Sequence, residues 1–139
     1  MKPKTIVQFS NVTVRLAART ILDSISLDIG LGEFVYVVGQ TGAGKSTMLK
    51  LLYADCPFQE GEIQVGNFQF SNLKPKEIPY LRRKMGIVFQ DFQLLPDRNI
   101  AENIRFALKA TGWRSSADIK ARTSEVLMRV GMWAKAKAL

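Results

Sequence analysis

Gly39-Gln40-Thr41-Gly42-Ala43-Gly44-Lys45-Ser46 is the stretch on which the reading of this chain turns. It fits the phosphate-binding pattern G-x-x-x-x-G-K-[ST], and the spacing has a chemical reason. Successive backbone N–H groups must converge on phosphate oxygens, and side chains would block that approach, so glycines stand at 39, 42 and 44. The positive end of a helix starting near Lys45 adds a fixed field favourable to anions. Lys45 is spaced to reach β- and γ-phosphate oxygens and Ser46 to offer its hydroxyl to Mg²⁺. Thr47 adds a hydrogen bond to an α-phosphate. A chain of this length matches the pattern by chance roughly once in 200, so a nucleotide phosphate is the reading.

The flanks agree. Phe34-Val35-Tyr36-Val37-Val38 is a continuous apolar run suited to a central strand buried on both faces. After the loop, Met48, Leu49, Leu51, Leu52 and Tyr53 give a helix its apolar stripe, and Pro57 requires that helix to have ended. Further upstream, 6–9 and 12–14 read as short β-branched strands. Ile25, Leu27 and Ile29 alternate with Ser26, Asp28 and Gly30 as in a half-buried strand, and Leu31-Gly32-Glu33 is a turn. Downstream, 61–70 reads as a hairpin, Ile63 and Val65 before a turn at Gly66-Asn67 and Phe68 and Phe70 after it. A short basic helix over about 77–84 leads to Met85-Gly86-Ile87-Val88-Phe89, a second candidate buried strand.

Beyond Phe89 the texture becomes helical. Residues 90–98 form a loop, Asn99 with Glu102 resembles a capping box opening a helix to about Ala110, and Ser115 with Asp118 caps another. There Ile119, Val126, Leu127 and Val130 share a face, and Gly131 supplies the stop. The order predicts an α/β chain with a helical last third.

Composition narrows the chemistry. The 139 residues fit one domain or a fragment of one, with 47% hydrophobic and 23% charged residues. The longest apolar run, 34–38, falls far short of the ~20 residues that cross a bilayer. Met1-Lys2-Pro3-Lys4 is charged, but Ile6-Val7 is followed at once by Gln8, so no signal-peptide core is present. The chain reads as soluble and cytoplasmic. Histidine is absent and Cys56 stands alone, which excludes Ser-His and Cys-His nucleophile pairs, an internal disulfide and a thiolate cage. Cys56 reads as a buried, inert thiol. Twenty Lys and Arg against twelve acids give +8, compatible with nucleic acid, an anionic membrane face, a phosphate ligand or a merely solvated surface. No helix-turn-helix or stacked-aromatic ribbon supports nucleic acid.

The succession from the strands at 9–13, through 27–33 into the phosphate loop, then Met48-Leu49-Lys50-Leu51-Leu52, Gly61-Glu62-Ile63 and Gly86-Ile87-Val88-Phe89-Gln90, resembles the nucleotide-binding domain of ABC transporters. The resemblance implies a P-loop NTPase of ABC type. It divides the chain into an N-terminal antiparallel β region over about 1–33, part of the parallel-sheet core over 34–95, and part of the helical subdomain over 96–139. It implies ATP and Mg²⁺ as ligands held by Gly39, Gln40, Thr41, Gly42, Ala43, Gly44, Lys45, Ser46 and Thr47, with Lys45 and Gln90 as the catalytic pair. In the family the glutamine matching Gln90, 45 residues after Lys45 here, touches Mg²⁺ or the attacking water and couples the site to an integral membrane subunit. Two copies would sandwich two ATP molecules in a homodimer at the inner face of the membrane. Glu77-Ile78-Pro79-Tyr80-Leu81-Arg82-Arg83-Lys84-Met85-Gly86 and Leu94-Leu95-Pro96-Asp97-Arg98-Asn99 are similar to the cell-division branch. Its members work with a membrane subunit on peptidoglycan hydrolysis; lipoprotein-releasing and macrolide-type exporters share much of this texture.

Two departures stand out. Where the family places an adenine-stacking aromatic, this chain has Leu16; Arg15 beside it either faces solvent or lays its guanidinium on the base. The family's Leu-Ser-Gly-Gly signature, Asp-Glu strand end and switch histidine are expected beyond Leu139. The chain alone is therefore expected to hydrolyse ATP negligibly and to leave apolar faces open; a nucleotide-gated scaffold without turnover is the alternative reading. The basic stretch Lys74, Lys76, Arg82, Arg83, Lys84 is either a solvated helix face or a contact for anionic headgroups. Because leucine cannot supply the ~1–3 kcal/mol of ring stacking, ATP and GTP are expected to bind with similar affinity. Parallel titrations check this, and a hundredfold preference for ATP would overturn it.

Overall fold

Hydrogen bonding between two long β-branched segments organises the first part of the chain. Strand β1 (Thr5–Leu16) runs antiparallel to β2 (Arg19–Gly30), joined by Ala17-Ala18. Residues 6–9 and 12–14 thus belong to one strand rather than two. The break between them is a bulge: Asn11 sits at φ 50, and the register shifts between Phe9 and Val12. The bulge is held from the side, Asn11 N–H donating to Ser26 Oγ at 3.0 Å and that hydroxyl donating to Asn11 Oδ1 at 3.2 Å.

β1 also pairs antiparallel with β3 (Glu60–Val65), which turns at Gly66-Asn67 into the short β4 (Phe68–Gln69), giving the order β2-β1-β3-β4. Phe70 lies beyond the hairpin, opening a 3-10 turn over Phe70–Asn72. Helix α1 (Lys45–Leu52) contributes Leu51 and helix α2 (Ile78–Arg82) contributes Leu81 to the core formed with Phe9, Val12, Val14, Leu22, Ile63 and Val65. Cys56 is half-buried against that core, its Sγ 3.4 Å from Pro57 O.

The computed structural model describes residues 4–138, so Met1, Lys2 and Pro3 of the charged start lie outside the described residues, as does Leu139. It separates into two compact units, Met1–Gly86 and Ile87–Leu139. In the second, α3 (Ile100–Ala110) and α4 (Ser116–Arg129) pack around Ala101, Ile119, Thr123 and Leu127. Both caps read from sequence are present: Glu102 N–H donates to Asn99 Oδ1 and Asn99 N–H to Glu102 Oε2, and Asp118 N–H donates to Ser115 Oγ. Gly131, at φ 67, ends α4 with Met132 N–H bonded to Leu127 O at 2.8 Å. Of the expected apolar face, Ile119 and Leu127 are buried, whereas Val130 is exposed.

The two runs read as buried parallel strands depart from expectation. Neither 34–38 nor 85–89 is a strand among the described residues, and Phe34, Tyr36 and Val38 are 81%, 79% and 86% exposed. Their apolar composition states a demand for burial, but a strand buried on both faces also needs hydrogen-bonded neighbours. The four-stranded antiparallel sheet supplies none to them.

Gly61 marks the tightest backbone approach in the sheet. It has φ 91, and a Cβ there would fall on the carbonyl oxygens of Ser10 and Asn11 at the bulge. Gly61→Ala is expected to destabilise the first unit by roughly 2–3 kcal/mol. Gly66→Ala, at φ 56 with open space around it, is expected to cost about 1 kcal/mol. Thermal melts of the two variants check the difference.

Candidate nucleotide-binding site

The phosphate loop is placed by the contact between the start of α1 and β2. Gly44, at φ 90, lies so close to β2 that a Cβ would stand 2.8 Å from Leu22 Cδ2 and 3.0 Å from Ile21 O. Gly42 is also left-handed, at φ 82, in open space. Between them the loop doubles back: Ala43 N–H donates to Gln40 O at 3.2 Å, and a Cβ at Gly39 would touch Ala43 Cβ at 3.4 Å. Glycine is thus demanded at 42 and 44 by backbone conformation, and at 44 by packing as well.

The electrostatics of α1 differ from those of the other long helices. Asn99 and Ser115 cap α3 and α4, with Glu102 and Asp118 in their first turns; α1 has Gly44 at its N-cap, no side-chain cap and no acid in its first turn. Its positive end is left for an anion. Lys45 Nζ folds back over the loop and donates to Gly39 O and Gln40 O, both at 2.7 Å. Ser46 is exposed and Thr47 half-buried on the same first turn.

Leu16 stands at the end of the β1–β2 hairpin, paired with Arg19 and 45% exposed. It belongs to the same unit as residues 39–47, at the hairpin end nearest Ile21 and Leu22. Arg15, read from the sequence as solvent-facing or as laid on the base, is exposed and carries an ion pair. Its guanidinium pairs with Glu60 Oε1 at 2.7 Å, and its amide donates to Gln59 Oε1 at 2.6 Å. The basic stretch is also divided by the fold. Arg82 Nε donates to Tyr53 O at 2.9 Å and Nη2 to Ala54 O at 3.2 Å, with Asp55 Oδ1 at 3.3 Å, so Arg82 ties α2 to the end of α1.

Gln90 belongs to the second unit, exposed on a turn that continues through Phe92 and Gln93 at φ 55 and 47. The sequence reading passed over Asn103, which fixes the loop that follows. Its Oδ1 accepts Leu95 N–H at 2.8 Å, and its Nδ2 lies within bonding distance of Leu95 O, Arg98 O and Asn99 O. An amide in the middle of an amphipathic helix, where asparagine is a poor helix former, was the available signal.

A glycine cradle ahead of an uncapped helix whose first residue is lysine defines a P-loop phosphate site. Residues 22–139 match the family model for ABC transporters, and the chain belongs to that family. It is 47% identical over 116 residues to the cell division ATP-binding protein FtsE of Bacillus subtilis (strain 168), covering 84% of this chain and 50% of that protein. It is 41% identical to a methionine import ATP-binding protein of Salmonella choleraesuis (strain SC-B67), covering 83% of this chain and 34% of the relative. The chain spans about half the length of the FtsE relatives it matches. Among solved structures, a dimeric ATP-binding cassette in a post-hydrolysis state, bound to ADP and Pi, superposes with a TM-score of 0.78 at 32% identity, over 95% of this chain and 61% of that one. The family supplies the ABC-type P-loop fold expected from the sequence. Among the described residues no helix is long and apolar enough to cross a membrane.

Lys45→Ala removes a side chain whose hydrogen bonds, among the described residues, go to the loop carbonyls of Gly39 and Gln40. It is expected to leave the melting temperature nearly unchanged while weakening nucleotide binding about tenfold or more. Gly44→Ala is expected to lower both. Melting curves beside fluorescent-nucleotide titrations separate the two effects.

Proposed function

We propose that the chain is the nucleotide-holding part of an ABC-type ATP-binding subunit whose ATP cycle drives an integral membrane partner, an FtsX-like permease, in cell division. The observation that carries the nucleotide reading is the phosphate loop itself: glycines at 42 and 44 in left-handed conformation, an uncapped α1, and Lys45 held inside the loop. The branch rests on the identity to FtsE. Work at the cytoplasmic face of the membrane, as a peripheral subunit and a homodimer when whole, follows from the same likeness.

In this proposal the amides of 39–47 receive the phosphates, and Lys45 Nζ exchanges the carbonyls of Gly39 and Gln40 for β- and γ-phosphate oxygens. Leu16 offers apolar contact to the base. Mg²⁺ fits the donors present. Among the described residues no cluster of three acidic, His or Cys side chains can cage a metal, whereas Mg²⁺ ordinarily takes one or two protein oxygens with phosphates and water. The Ser46 hydroxyl is the protein oxygen proposed here, with Gln90 as a second ligand or water contact. Bound Mg²⁺ supplies charge neutralisation on the phosphates.

Gln90 also serves as the coupling residue, in a division of labour that gives 1–33 to the base side, 34–95 to the phosphates and 96–139 to the helical subdomain. The 139 residues alone hold nucleotide without turning it over, since Lys45 and Ser46 position phosphate but orient no water for in-line attack. Titration with a fluorescent ATP analogue is expected to show Mg²⁺-dependent binding, displaced by ATP and lost in Lys45→Ala, with no phosphate release above buffer. A folded chain that ignores Mg·ATP overturns the nucleotide reading. Multiple turnover abolished by Lys45→Ala overturns the claim of inactivity.

A further inference from the structure

We infer that the outer face of the Pro75–Lys84 region is a docking surface for an anionic membrane. The fold sorts this segment into two faces. Leu81 is fully buried, Ile78 is half-buried, and Arg82, though exposed, is tied down by hydrogen bonds to Tyr53 O, Ala54 O and Asp55. Left outside are Lys74, Lys76, Tyr80, Arg83 and Lys84. The neighbouring acids are already engaged. The Glu77 carboxylate accepts the Lys74 amide at 2.9 Å, and the Asp55 carboxylate faces Arg82 at 3.3 Å. Among the described residues, none of Lys74, Lys76, Arg83 and Lys84 has a carboxylate partner. Four cations without a carboxylate partner therefore flank the exposed Tyr80 along this segment, and Arg83 lies over its ring.

That ring is the feature that favours lipid over other polyanions. Tyr80 is 58% exposed and lies beneath the Arg83 guanidinium, 5.2 Å from its centroid. A tyrosine with an apolar body and polar tip, on a segment of exposed basic side chains, suits the headgroup layer: the ring enters the interface while the cations meet phosphates. Each Lys or Arg near an anionic surface contributes about a fivefold gain in partitioning. The surface complements the proposed work at a membrane partner and rests on that reading for its biological setting, but the binding requires no nucleotide.

The test is sedimentation of the 139-residue chain with phosphatidylglycerol–phosphatidylcholine vesicles, without nucleotide. Binding is expected to rise with the phosphatidylglycerol fraction, to fall with added salt, and to persist in Lys45→Ala, so that failure of the nucleotide reading leaves it standing. Neutralising Lys76, Arg83 and Lys84 to Gln is expected to reduce partitioning about a hundredfold. Neutralising Lys109, Lys120 and Lys137 in the second unit removes the same charge and is expected to change it little. Equal loss in the two triple variants, equal binding to pure phosphatidylcholine, or retention by DNA with no vesicle binding overturns the proposal. Tyr80→Ala, with an unchanged melting curve, is expected to weaken binding severalfold; no effect would remove the ring's role and with it the preference for lipid.

Discussion

The close seating of Gly44 on β2 is the constraint on which the rest of the site depends. Because a hydrogen atom is the largest group that fits between this residue and Leu22, α1 starts directly on the sheet rather than a side chain's breadth above it. The start of the helix then fixes where its positive end points, where Lys45 emerges and how the preceding loop must fold back. β2 in turn owes its position to β1, which is paired on both edges and carries Phe9, Val12 and Val14 into the core. The geometry of the phosphate loop is thus set by antiparallel strands outside the G-x-x-x-x-G-K-[ST] stretch.

What could be read in the sequence was what local chemistry determines. The phosphate loop, the Asn99–Glu102 and Ser115–Asp118 caps and the Gly131 stop each need residues only a few positions apart, and each was found where expected. The β1–β2 turn escaped because Ala17-Ala18 carries none of the usual turn residues, although Ala17 takes φ 52. The Asn11 bulge escaped for a related reason: its stabilising partner, Ser26, sits on the opposite strand.

Long-range partners account for the remaining differences. The sequence leaves Arg15 facing solvent or a base; its ion pair with Glu60 depends on β3 arriving beside β1. Arg82 looks like one more cation of a basic face until the end of α1 presents two carbonyls and Asp55 to it. For 34–38 and 85–89 the pattern reports the hydrophobicity of a central strand, but pairing is a property of a whole sheet and is not encoded in the run itself.

The division after Gly86 has a consequence for cooperativity. Among the described residues the first unit encloses eight buried apolar side chains, whereas the second has Ala101, Ile119 and Leu127 with Thr123 among them. Cores of such unequal size favour sub-global opening of the smaller one. The helical hairpin is expected to open at lower free energy than the sheet, with amide hydrogens of α3 and α4 exchanging ahead of those of β1. The Gln90 turn belongs to the unit with the smaller core, and the phosphate loop to the unit with the larger one.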